Sequence, residues 1–161
     1  MSTVYVQFSD ATETRVISVF GCPQSASVPN QASIDSSDAR YQAFINPAPT
    51  LAQRAAAAAV AGLGIALNGS ITLAETTFPT DPVTQGKIAA MAAMAGAGSL
   101  PTGFTTYDMR DAAGGWHHFT AAQYLAVANA IADYVAVCTL IADGSPNAPT
   151  ALPAASVSLT L

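Results

Sequence analysis

Apolar and polar positions along this chain follow two periods, and the switches between them divide it. Residues 4–8 (Val-Tyr-Val-Gln-Phe) and 15–20 (Arg-Val-Ile-Ser-Val-Phe) are rich in β-branched and aromatic side chains, with the polar residues 9–13 between them. That pattern predicts a β-hairpin. Gly21-Cys22-Pro23 ends it, residues 25–30 form a loop, and Ala32-Ser33-Ile34 adds a short strand. Ser37 or Asp38 then caps a helical turn holding Tyr41, Phe44 and Ile45, which Asn46-Pro47-Ala48-Pro49 stops, since proline lacks an N–H and restricts the residue before it.

Beyond residue 50 the helical period takes over. Thr50-Leu51-Ala52-Gln53 is a capping box, in which the Thr hydroxyl and the Gln amide satisfy each other's backbone N–H groups. The helix it opens runs to about Ala61 and is almost all alanine, the best helix former but one that buries little area per residue. It is expected to lie against a sheet, with close approach to a second copy of itself as the alternative. Residues 64–73 read as extended, with a turn or bulge at Asn68-Gly69. Asp81 as cap and Pro82 at the first helical position open a further helix with Ile88, Met91, Ala92 and Ala95 on its apolar face, ending in residues 96–99.

The strongest pattern spans residues 114–144. Residues 104–109 alternate as a strand, residues 111–115 form a turn, and Trp116-His117-His118-Phe119 return as the second arm of a hairpin. Thr120 and Gln123 repeat the capping box, with Phe119 and Tyr124 placed as a hydrophobic staple. Tyr124, Val127, Ala128, Ile131, Val135, Cys138 and Ile141 or Ala142 follow at three- and four-residue spacing, up to the stop at Gly144. Pro146, Pro149 and Pro153 keep the next stretch extended, and residues 156–161 alternate as a final strand able to join a sheet of this chain or of a neighbour.

Composition changes this picture in one respect. Charged residues make up only 9% of the 161 positions and hydrophobic ones 51%, against about 25% charged in typical soluble domains. Such a chain either exposes Ser, Thr, Ala and Asn or hides surface in an assembly; a mixture of both is expected, with assembly the larger part, because copies of such a chain repel one another little. The net charge of −5, with Arg15, Arg40, Arg54, Lys87 and Arg110 scattered, argues against nucleic-acid binding. Residues 1–5 have no basic segment followed by an apolar run, so no signal peptide is expected. The alanine run is broken at Gly62, Gly64 and Asn68, so no membrane insertion is expected from it. Cys22 and Cys138 are expected to be reduced, Cys138 within the apolar stripe.

The chain offers little reaction chemistry. His117 and His118 are adjacent on a strand and point to opposite faces, so they are poorly placed to share a metal. No Gly-x-Ser-x-Gly elbow or phosphate-binding Gly-rich loop occurs. Asp108 and Asp111 at the hairpin edge read as solvated turn residues rather than a paired acid and base. Trp116 is expected as a core anchor, with an exposed contact for sugar or protein as the alternative. No cofactor, metal or catalytic residue is expected.

Leu67-Asn68-Gly69, Asp81-Pro82-Val83-Thr84-Gln85 with its Ala/Met-rich helix, Tyr107-Asp108, and residues 113–123 leading into the long helix together resemble small uncharacterised proteins of tailed bacteriophages and prophages. Those are encoded near tail-fibre genes and share a C-terminal domain of unknown function in which a hairpin leads into a long helix. Gly21-Cys22-Pro23 and residues 41–47 fit the same proteins. The resemblance implies a virion structural or accessory protein of the tail tip, baseplate or fibres, made in the host cytoplasm. It carries no catalytic residues.

The expectation is an α+β protein. A β-rich module over residues 1–46 precedes a domain over 50–144, where an antiparallel sheet packs on two or three helices, the longest about 121–143; an extended segment follows over 145–161. The expected function is contact with other tail proteins and with copies of itself, a trimer first, without nucleic acid. A fibre-assembly chaperone absent from the particle and a receptor- or glycan-binding adhesin are the alternatives. Candidate contact residues are Asp111, Gly114, Gly115 and Trp116 at the hairpin tip and Val157 and Leu159 in the final strand.

Overall fold

A computed structural model describes residues 2–161; Met1, the first residue of the expected N-terminal module, lies outside the described residues. The protein is α+β, with four helices and eight strands among the described residues. It forms two units that divide after Pro49, at the end of the proline connector.

In the first unit, β1 (Thr3–Phe8) pairs antiparallel with β2 (Val16–Phe20) on one side and with β3 (Gln31–Asp35) on the other. The register places Val6 opposite Val19 and Ala32, so one face of the sheet is apolar. Val6 and Phe8 are fully buried there and Val16 is buried, with Val4, Ala32, Ile34 and Tyr41 packed around them. Tyr41 comes from the short helix α1 (Ala39–Ile45), which Asp38 caps by accepting from the Arg40 N–H. The same carboxylate grips the Arg40 guanidinium at 3.0 and 2.7 Å, and that guanidinium lies 4.7 Å from the centroid of the Phe8 ring. Asp38 is therefore held well below the usual carboxylate range, at about 2, by the Arg40 side chain first and its backbone N–H second. Three buried residues make a small core, and Ile17, Val19, Phe44 and Ile45 remain exposed.

The second unit is built on β4 (Leu63–Asn68), which is buried along most of its length because strands flank both of its edges. β5 (Leu73–Phe78) pairs with it antiparallel, across a bulge. The extended stretch thus continues past Leu73 to Phe78; Glu75, Thr76 and Thr77 make this edge strand too polar to be recognised by its apolar period. β8 (Ser156–Thr160) joins the other edge of β4 in parallel, so the alternating final strand adds to a sheet of this chain, while β4–β5 is antiparallel as expected. A parallel neighbour needs a long crossover, and the helices and hairpin between β4 and β8 supply it. Gly69 makes the close possible: its φ is +118°, and a Cβ there would fall 2.1 Å from the Leu161 carbonyl oxygen. The Leu161 N–H in turn donates to the Asn68 carbonyl at 2.8 Å.

Three helices complete this unit: α2 (Leu51–Ala61), α3 (Pro82–Gly96) and α4 (Ala121–Ala142). Both capping boxes form with reciprocal bonds, Thr50 with Gln53 and Thr120 with Gln123, and Asp81 accepts from the Val83 and Thr84 N–H groups. α4 is the spine. It buries Tyr124, Val127, Ala128, Ile131, Tyr134, Cys138 and Ile141. Tyr134 is buried where the periodicity pointed to Val135, which is only partly buried against the same core. Cys138 is a free, buried thiol and Cys22 a free, exposed one. α4 is long and apolar enough to cross a membrane by length and composition; here its caps form and Asn129 and Asp133 are exposed in mid-helix.

Candidate functional site

Ahead of α4 stands a hairpin of β6 (Tyr107–Arg110) and β7 (Trp116–Phe119). The expected strand from Phe104 shortens to these residues, because Gly103 at φ +90° and a bond from the Phe104 N–H to the Pro101 carbonyl hold the preceding segment in a turn. The tip is tightly made. The Asp111 N–H donates to the Gly115 carbonyl at 2.9 Å, the Gly115 N–H donates to the Asp111 carboxylate at 2.7 Å, and Gly114 takes φ +94°. The Ala112 N–H donates to the Thr77 carbonyl at 2.8 Å, tying the tip to β5.

Alternation along the two strands sorts their side chains. Tyr107, Met109 and Phe119 are buried on the inner face. His117 shares that face, edge-on to the Phe78 ring at 5.4 Å, with Nε2 2.8 Å from the Asp111 carboxylate. Asp108, Arg110, Trp116 and His118 point outward as two cross-strand pairs. His118 Nδ1 lies 2.8 Å from Asp108 Oδ1, and Thr106 donates to the same oxygen at 2.7 Å. The Arg110 guanidinium carbon lies 5.9 Å from the Trp116 ring centroid, while Arg110 Nε donates to the Gly114 carbonyl at 3.1 Å. Both carboxylates are held below their ordinary range, Asp108 chiefly by His118 and Asp111 chiefly by His117 and then the Gly115 N–H. The two histidines thus occupy separate carboxylates on opposite faces. Among the described residues no group of three His, Cys, Asp or Glu side chains gathers where a metal ion could sit.

The hairpin and α3 enclose a cleft of about 860 Å³, lined by outward-facing side chains of the hairpin and by Met109 of its inner face. Buried Ile88, Met109 and Tyr124 contribute to its lining, and Lys87, Phe104, Asp108, Arg110, Trp116 and His118 add exposed or half-exposed groups. Burial pushes the Tyr124 hydroxyl up to about 12, so it is a neutral phenol at any ordinary pH. Trp116 corrects the sequence expectation. It is 61% exposed and not a core anchor, because the tight tip places it in register with Arg110 on the outer face while Met109 and His117 take the inner one. Phe104, 53% exposed, lines the same cleft.

A second surface lies between α4 and β8. A groove of about 500 Å³ there is lined by Leu63, Ala130, Tyr134, Val137, Val157 and Leu159, among others, with Asp133 as its single charged side chain among the described residues. The candidate contact residues therefore separate into two sets. Asp111, Gly114, Gly115 and Trp116 come together at the hairpin tip, whereas Val157 and Leu159 are half-buried against the unit's own core and border the groove. The cross-strand alignment of Asp108 with His118 and Arg110 with Trp116 was readable once residues 111–115 were taken as the turn, because positions equidistant from a tight turn face each other. Lys87 and Phe104 carry no such local signal; tertiary structure alone brings them to the cleft.

In comparisons with known proteins, residues 47–143 match the family model described as a domain of unknown function, DUF4376. No curated protein and no solved structure matches the chain.

Proposed function

We propose that this chain, which belongs to the DUF4376 family, is a structural subunit of a bacteriophage tail that works by protein–protein contact, at the fibre, baseplate or tail tip. The observation that carries the reading is the groove between α4 and β8. It is almost wholly apolar, and it adjoins an open edge: β8 ends the sheet order β5-β4-β8, so among the described residues a row of its backbone N–H and C=O groups has no strand partner within the sheet. Open edges beside apolar surface are places where another chain adds on. A charged fraction of 9% removes the repulsion that would keep copies apart. The tail context is supported by the sequence resemblance to proteins encoded near tail-fibre genes. No step of chemistry is assigned. The function is contact with other tail proteins and with copies of itself, a trimer being the expected state given the threefold and sixfold symmetry of tails.

Mass spectrometry of purified virions from the phage or lysogen encoding this chain tests the reading. Its presence in stoichiometric amount is expected. Its absence from particles whose assembly still requires it would replace the subunit with an assembly chaperone. Within the protein, Ala154→Arg and Ser156→Arg place charge at exposed positions on the groove. These variants are expected to melt like the wild type yet lose self-association by light scattering and incorporation into tails. Unchanged assembly in both measurements would remove the groove from the interface.

A further inference from the structure

We infer that the cleft between α3 and the β6–β7 hairpin is a binding site for a neutral saccharide, with Trp116 and Phe104 as stacking surfaces and Asp108 and Arg110 as hydrogen-bonding groups. Tryptophan is among the most buried residues on average, so an indole left 61% exposed needs an explanation. This one is not a loose side chain. Arg110 lies against the ring and is itself fixed by the bond from its Nε to the Gly114 carbonyl, which pre-orders the indole for a partner. Phe104 places a second exposed ring in the same cleft.

The polar groups are left unfinished in a matching way. Asp108 Oδ1 holds both His118 and Thr106, whereas Oδ2 takes no hydrogen bond among the described residues. Held ionised, that oxygen is a strong acceptor for a ligand hydroxyl. Of the Arg110 nitrogens, only Nε takes a hydrogen bond among the described residues, leaving the terminal ones to donate. The charges balance: Lys87 and Arg110 line the cleft together with Asp108 and Asp111, and the one further basic side chain lining it, His118, is taken up by Asp108. A phosphate or another polyanion would want an excess of positive charge and a cationic ligand an excess of negative, and neither is present. A pyranose fits what remains. Its C–H face is apolar enough to lie on an indole, and its rim of hydroxyls both donates and accepts. The volume is within the range of small-ligand clefts, about 300–1,000 Å³. The site does not depend on the chain being a tail subunit.

Trp116 is the chain's single tryptophan, so intrinsic fluorescence of the whole protein reads the site directly. The probes are neutral oligosaccharides containing glucose, galactose or N-acetylglucosamine, with a sulfated oligosaccharide and an unstructured peptide as competing chemistries. At least one neutral sugar is expected to shift the emission to shorter wavelength, saturably. Asp108→Asn keeps the fluorophore and is expected to weaken that binding at least tenfold. Trp116→Ala, followed by ligand-observed NMR, is expected to abolish it while leaving the thermal melt unchanged. No saturable response to any neutral sugar, a response to the sulfated sugar or the peptide alone, or sugar binding that survives Trp116→Ala would each overturn the assignment.

Discussion

Among the described residues Thr80 is the one buried side chain of the polar or charged class, with no exposed surface at all. Its Oγ1 accepts from the Gly62 N–H at 3.0 Å, and Gly62 ends α2 at φ +105°, where the chain turns into β4. Thr80→Val keeps the shape and removes the acceptor. The Gly62 amide is then left buried without a partner, a loss of about 1–3 kcal/mol, with no cavity term because the volume is conserved. Thr80→Ser keeps the acceptor and deletes one methyl, at about 1 kcal/mol. For a unit of this size each kcal/mol moves the melting temperature by roughly 3–6 °C. The valine variant is therefore expected to melt roughly 3–18 °C lower, although valine is the more apolar residue. Urea unfolding followed by far-UV circular dichroism measures the change, and an unaltered m-value would show that only stability moved. A valine variant as stable as the wild type, or more so, would refute the claim that this hydrogen bond closes α2 onto the sheet.

Two further expectations concern turns and pH. Gly69→Ala combines an unfavourable φ of +118° with a Cβ that would meet the Leu161 carbonyl. Such strain costs on the order of 1–3 kcal/mol and should release the end of β8, read as faster amide hydrogen exchange there; unaltered protection of β8 would contradict the tie. In the first unit, Asp38 is lowered from 3.8 to about 2 by Arg40. A carboxylate depressed in the folded state stabilises above its unfolded value and loses that contribution as pH falls through the folded one. The first unit should therefore weaken between about pH 4 and pH 2, and Asp38→Asn should flatten that part of an acid titration; an unchanged acid limb would show that the Asp38–Arg40 pair does not matter there.

Local order was the legible part of this protein. Thr50 with Gln53, Thr120 with Gln123, and Asp81 with Pro82 are signals complete within a few residues, and all three helices start where those residues stand. The apolar stripe of α4 was visible for the same reason, apart from the exchange of Val135 for Tyr134. β5 was partly missed because an edge strand with one wet face need not alternate cleanly. Of the two surfaces, the hairpin tip could be placed from Asp111 to Gly115 alone, whereas the cleft beside it needed Lys87 from α3 and Phe104 from a turn.

Helix starts, turns and the α+β class were thus written in the order of residues, because capping, backbone sterics and side-chain period act over one or two turns of chain. The partner of β8 and the outward face of Trp116 were not. An alternating strand such as residues 156–160 fits any open edge, and only the crossover from β4 and the close contact between Gly69 and Leu161 select this one. A tryptophan on a hairpin suits core or solvent equally well by composition. Its side was decided when Met109, His117 and Phe119 filled the inner face and left the indole beside Arg110.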